Sequence, residues 1–330
     1  MFRTLASLSL LVVLFVGCDD SYGTPSANQQ AQTADPNSTI AVTATVGMVG
    51  DLVRTIGGDR VDVTQICGSG VDPHLYKATR DDVQAMMSAD LIVYSGLMLE
   101  GKMTDTLIKM ARHKPVIAVT EAIDETMLLE PDDFAGHYDP HVWMDVAAWS
   151  QCVDVIADEL SAFDPLFEPA YRERAHALRE KLADLDEYGK SVIATIPEGG
   201  RILVTSHDAF GYFGRAYGLK VLGIQGISTD SEAGLQRINT LVDLLVEQNV
   251  KSVFVESSVP RKSVDSLVEG AKSRGHHVSV GEKELFSDAM GESGTYEGTY
   301  IGMLDHNLTV VARGLGGEAP ADGFQGKLSE

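Results

Sequence analysis

Residues 168–195 read EPAYRERAHALREKLADLDEYGKSVIAT, and the organisation of the whole chain turns on whether this stretch is one helix. Tyr171, Ala175, Leu178, Leu182, Leu185 and Tyr188 recur at steps of three and four, so one apolar stripe runs along the segment. Counted from Pro165, the pattern covers roughly 30 residues, or about 45 Å at ~1.5 Å per residue, enough to pass from one lobe to another. Gly189 is the strong break signal inside it, and two shorter helices meeting there are the other reading.

On both sides the chain alternates between strand and helix patterns. Before the long segment, strands are predicted at 40–46, 61–67, 90–95 and 115–120. The helical stretches GMVGDLVRTIGG, TRDDVQAMMSA with Thr79 as N-cap, and EGKMTDTLIKMARH lie between them, and a helix over 146–160 capped by Asp145 follows. After Pro197 the alternation resumes with RILVTS, LKVLGIQ, KSVFVES and HHVSVG, with helices around Tyr212, Leu241 and Val264 and a last one over 297–313. Strands separated by helices imply parallel sheets joined by right-handed crossovers. The expected fold is α/β, with two similar lobes, each a mostly parallel four-stranded sheet with helices, joined by one long spanning helix and separated by a cleft. The boundaries read 39–163 for the first lobe, 164–196 for the linking helix, 197–315 for the second lobe and 316–330 for a disordered tail. A length of 330 residues agrees with about two domains at ~150 residues each, and 44% apolar residues suffice for two cores.

The first 18 residues, MFRTLASLSLLVVLFVGC, place Arg3 ahead of an apolar run that is too short to span a bilayer and fits a signal peptide over 1–17. Gly17 before Cys18 resembles a bacterial lipobox, in which the cysteine becomes the lipidated first residue; Phe15 departs from the usual leucine. Residues 18–38 are then a lipidated cysteine and a flexible polar tether. The expectation is an exported protein, in the periplasm or at the cell surface, held to the membrane only through Cys18. Cys67 and Cys152 remain; they could pair in an oxidising compartment, or stay as two buried thiols. A formal charge of −22 argues against nucleic acid as a partner and merely permits a cation.

Chemistry concentrates in loops that follow predicted strands. His74 stands in VDPHLY and His141 in DPHVWMD; both follow Asp-Pro and precede an aromatic by two positions. Proline stiffens such a loop, and the aspartate is placed to accept the other ring N–H and set the tautomer. His207 in TSHDAFGYF and Asp288 in LFSDAMG occupy corresponding places in the second half, where ligands gather in wound α/β sheets. Three imidazoles and one carboxylate suit a first-row divalent metal, with His74 and His141 bridged to His207 and Asp288 across the cleft. His113, His176, His276, His277 and His306, and also His137, read as non-ligands. Glu256, in KSVFVES, reads as an acceptor for an imidazole or as a loop cap.

The lipobox, VDPHLY, DPHVWMD, TSHDAFGYF, VESS and LFSDAMGESGTYEGTYIGM together resemble the zinc/manganese solute-binding lipoproteins of ABC transporters, the TroA-like group with a rigid interdomain helix. The resemblance runs from about residue 39 to residue 315. It implies His74, His141, His207 and Asp288 as metal ligands, Zn2+ or Mn2+ as the transported ion, and an ABC permease with its ATPase as partners of a monomer. It also implies that a histidine at position 207 goes with zinc, whereas Asp288 pulls modestly toward manganese. A secreted zinc hydrolase is the rival reading, but four protein ligands leave no open position for water, and neither H-E-x-x-H nor G-x-S-x-G occurs. An adhesin using the same fold is a further alternative.

Overall fold

A computed structural model describes residues 38–134 and 136–329 of the chain; the predicted signal peptide, Cys18 and all of the predicted tether except Ser38 lie outside them. In the first half the alternation becomes β1 (Ile40–Ala44), α1 (Gly47–Gly57), β2 (Val61–Gln65), α2 (Arg80–Ser88), β3 (Leu91–Tyr94), α3 (Thr104–Met110) and β4 (Val116–Ala118). The four strands are parallel in the order β2-β1-β3-β4. The sheet therefore reverses direction of winding beside β1, as in other ligand-binding doubly wound sheets. Thr79 caps α2 as expected, in a reciprocal box with Asp82.

The predicted helix over 146–160 is two helices, α4 (Val146–Trp149) and α5 (Gln151–Phe163). Asp145 caps the first by accepting from the Ala148 N–H at 3.1 Å. At the junction the Ser150 hydroxyl donates to the Ala147 carbonyl at 2.7 Å, a local bond that competes with the helical ladder.

The stretch quoted above is one unbroken helix, α6 (Glu168–Ala194), about 40 Å long at ~1.5 Å per residue. Gly189 is not a break. A Cβ there would stand 2.9 Å from the side chains of Leu308 and Tyr217, so glycine allows close contact with the second half. The other end is tied to the first half. Asp164, just before α6, receives the Arg60 guanidinium at 3.0 and 2.8 Å and the Tyr171 hydroxyl at 2.8 Å. Arg60 also lies over the Phe167 ring, and Arg174 donates to the carbonyls of Ile56 and Gly57 at the end of α1.

The second half contains β5 (Ile202–Thr205), α7 (Gly211–Tyr217), β6 (Lys220–Gly223), α8 (Leu235–Glu247), β7 (Ser252–Val253), α9 (Lys262–Ser273), β8 (Ser279–Val280) and α10 (Tyr300–Gly314). Its strands pair in parallel two by two, β5 with β6 and β7 with β8, and the Phe254 N–H joins the pairs through the Val204 carbonyl at 2.8 Å. The resulting sequence β6-β5-β7-β8 repeats the strand order of the first lobe.

Two cores form, of unequal reach. The larger runs without interruption from Ile40 through α1, α5 and α6 to α7, α10 and Phe324, so it belongs to both lobes. The smaller lies within the second half, between Val204, Leu241, Leu245, Val253, Val264 and Leu267. The tail over 316–329, expected to be disordered, is packed. Phe324 and Leu328 are buried, the Phe324 N–H donates to Asp305 at 2.7 Å, and its ring meets Tyr188. These two apolar residues are the anchors that the polar composition of the tail conceals. Among the described residues Cys67 and Cys152 are both buried and unpaired, and burial pushes both thiols up. No helix among the described residues is long and apolar enough to cross a membrane.

Candidate metal centre

His74, His141, His207 and Asp288 converge between the two lobes, each offering one donor atom, with all four donors within 4.8 Å of one another. His74 comes from the loop after β2, His141 from the segment between β4 and α4, His207 from the loop after β5 and Asp288 from the loop after β8. The His141 Nε2 lies 3.2 Å from the Nε2 of His74, 3.4 Å from that of His207 and 3.3 Å from Asp288 Oδ1. His207 Nε2 lies 3.3 Å from Asp288 Oδ2. A tetrahedron with centre-to-donor distances of ~2.0–2.1 Å has edges of about 3.3–3.4 Å, so these four contacts have the span of a small four-coordinate cage.

Carboxylates behind the rings aim them. The Asp139 Oδ1 accepts both the backbone N–H of His141 at 2.9 Å and its ring Nδ1 at 2.6 Å. Glu256 does the same for His207, through Oε1 on the backbone N–H at 2.9 Å and Oε2 on Nδ1 at 2.5 Å. With Nδ1–H given to a carboxylate, each Nε2 turns a lone pair toward the common centre. Glu256 is thus the imidazole acceptor its position suggested. The two Asp-Pro-His segments differ, however: Asp72 accepts the backbone N–H of His74 at 2.8 Å but makes no bond to its ring.

The site is buried and polar at once. His141 and His207 are fully buried, Asp288 is 1% exposed and His74 6%. Among the described residues, the two oxygens of Asp288 face only the ring nitrogens of His141 and His207. Burial disfavours the charged form of His141, yet Asp139 and Asp288 outweigh it and lift the ring to about 9. The same contest, with Asp288 and Glu256, raises His207 well above its usual value. Burial drives His74 the other way, to about 3, against the pull of Asp288. For Asp288 itself, burial is outweighed by His207 and His141, which hold it well below the usual carboxylate range. Several acceptors facing one point with no neutral donor among them require protons or a cation there.

The other histidines stand elsewhere. His113, His137, His176 and His277 are exposed, and the rings of His276 and His306 meet the carbonyls of Val250 and Glu284. Three supporting contacts had no signal in the sequence. The Trp143 indole N–H donates to the Ser287 carbonyl at 2.9 Å, tying the His141 segment to the residue before Asp288. The Tyr212 hydroxyl, from α7, donates to the Asp139 carbonyl at 2.8 Å. Thr229, in the loop after β6, donates to Asp72. All three join residues more than 70 positions apart, which periodicity and local motifs cannot relate.

Residues 42–314 match the family described as ZnuA, zinc-uptake complex component A, periplasmic. The manganese-binding lipoprotein MntA of Bacillus subtilis (strain 168) is 46% identical over 94% of this chain and 98% of its own length. The zinc-binding protein TroA of Treponema pallidum (strain Nichols) is 42% identical over 83% of this chain and 88% of its own. A solved structure of the periplasmic zinc-binding protein TroA from Treponema pallidum superposes with a TM-score of 0.82, at 41% identity, over 84% of this chain and 99% of that one. The manganese ABC transporter substrate-binding lipoprotein PsaA of Streptococcus mitis is 32% identical over 94% of this chain and 98% of its own length. With its wound lobes, its unbroken α6 and a family match across most of its length, the chain belongs to the ZnuA family, whose members are metal-binding solute-binding proteins of ABC importers and not enzymes.

Proposed function

We propose that the chain captures zinc outside the cytoplasm in a cage of His74, His141, His207 and Asp288 and hands it to an ABC permease driven by its ATPase. The observation that carries this reading is the convergence of three Nε2 atoms and the Asp288 carboxylate on one buried point. Three imidazoles with a single carboxylate favour zinc over the harder manganese ion, and the Irving–Williams order points the same way. Manganese is the second reading, supported by the oxygen donors of Asp288 and by the name of the Bacillus relative. The protein acts as a monomer, tethered through a lipid on Cys18. The metal bridges the two lobes, and α6 confines their movement to a small tilt or to loop rearrangement.

Dialysis of the metal-free protein against equal free zinc and manganese tests the assignment. One zinc per chain is expected; preferential retention of manganese overturns the choice of ion, and retention of neither overturns the function. The pH dependence has a definite sign. With His141 lifted to about 9 and His207 raised as well, both rings hold protons at neutral pH in the metal-free cage and must give them up on coordination. Zinc binding should release protons at pH 7, and affinity should still climb as the pH rises from 7 toward 9. Titration calorimetry in buffers of different ionisation enthalpy measures the release; no proton release contradicts this account. Glu256→Gln should weaken zinc binding by about 10–100-fold, the usual loss when the partner behind a ligating imidazole is altered. Chelator competition gives the ratio.

A further inference from the structure

The three imidazoles of the cage are not held alike. Asp139 and Glu256 each grip both the backbone and the ring of their histidine, at 2.5 to 2.9 Å. His74 has only its backbone N–H on Asp72, no hydrogen bond is seen at its Nδ1 among the described residues, and it is the most exposed of the four. The second oxygen of Asp72 is not idle. It accepts from the Thr229 hydroxyl at 2.5 Å, and Thr229 belongs to the opposite lobe. The adjacent Asp230 pairs with Lys102 at 3.2 Å, again from one lobe to the other. Both come from residues 224–234, which join β6 to α8; Ile227 is buried at 3% exposure while Gly226 and residues 230–232 lie exposed.

We propose that this loop is a strap that latches the His74 segment from across the cleft, and that the Thr229–Asp72 hydrogen bond sets the rate at which captured metal leaves. Thr229 is a positioning residue: it acts on His74 through Asp72 and touches no donor of the cage itself. The ligand with the fewest supports is the one whose departure opens the cage. For His74 to swing away, the Asp72 turn must move with it, because the same carboxylate holds the His74 backbone. That movement has to break a charge-assisted bond in a half-buried setting, which is stronger than a neutral one. The Lys102–Asp230 pair is exposed on both sides and adds little. Capture and release are thereby separated: entry needs the turn open once, whereas retention depends on how long the latch stays made.

The inference rests on the proposed cage, so the experiment is built to separate the two. Zinc-loaded wild type, Thr229→Val, Thr229→Ser and Lys102→Ala are mixed with excess EDTA, and zinc loss is followed in time. Thr229→Val should release zinc about tenfold faster, a factor equal to ~1.4 kcal/mol. Association should change little. Thr229→Ser, which keeps the hydroxyl, and Lys102→Ala should stay near the wild-type rate. A Thr229→Val rate equal to wild type overturns the strap, and so does a Thr229→Ser rate as fast as that of valine, which would assign the effect to packing. Wild type that retains no zinc overturns both the cage and the strap.

Discussion

Alanine at His141 should erase the stabilisation that zinc confers on the folded chain. A ligand that binds only the native state adds about 4 kcal/mol when its free concentration is 1,000 times Kd. For a chain of this size that corresponds to a rise in Tm of roughly 6 °C. His141 Nε2 is the donor that meets all three others, at 3.2, 3.4 and 3.3 Å, so its removal leaves no pair of contacts that encloses a point. The Tm of His141→Ala should therefore stay within about 1–2 °C of its metal-free value on adding zinc. His176→Ala is the control, because that ring is exposed and faces Glu180 at 3.7 Å on the outer side of α6. It should show the full shift. Calorimetric melts with and without zinc decide, and an undiminished shift in His141→Ala would remove the cage from consideration.

The second large effect concerns stability alone. Arg60→Ala should cost about 3–5 kcal/mol, the loss expected when one partner of a buried ion pair is deleted. Asp164 is 1% exposed and would lose two guanidinium bonds, keeping the Tyr171 hydroxyl. The stacking of Arg60 on Phe167 and its bond to the Ser38 carbonyl go as well. Urea unfolding of the metal-free protein measures the cost. A loss below about 1 kcal/mol would mean that the pair behaves as an exposed one.

Local signals carried much of the architecture. Thr79 and Asp145 announced their caps, and the spacing from Tyr171 to Tyr188 announced a long helix. The repeated Asp-Pro-His brought two cage residues into view, and strand-end placement brought the other two. What stayed hidden depends on partners far along the chain. Gly189 reads as a helix breaker until Leu308 and Tyr217 are placed against it. Asp72 and Asp139 stand in the same motif, yet one serves a ring and the other a threonine of the opposite lobe, because only the fold determines which groups come within reach. Phe324 looked like a residue of a loose tail because its binding surface is made by α6 and α10.

The continuous core has a bearing on ancestry and recombination. Two lobes with the same strand order suggest modules that could be traded between relatives, but the larger of the two cores runs through both lobes. A hybrid taking its second half from another member would bring its own surface against Gly189, where only side chains shaped like Leu308 and Tyr217 fit. It would also have to supply a Ser287 carbonyl for Trp143 and a Tyr212 hydroxyl for the Asp139 turn. An exchange that leaves this core whole therefore has to take the stretch from Ile40 to Phe324 together.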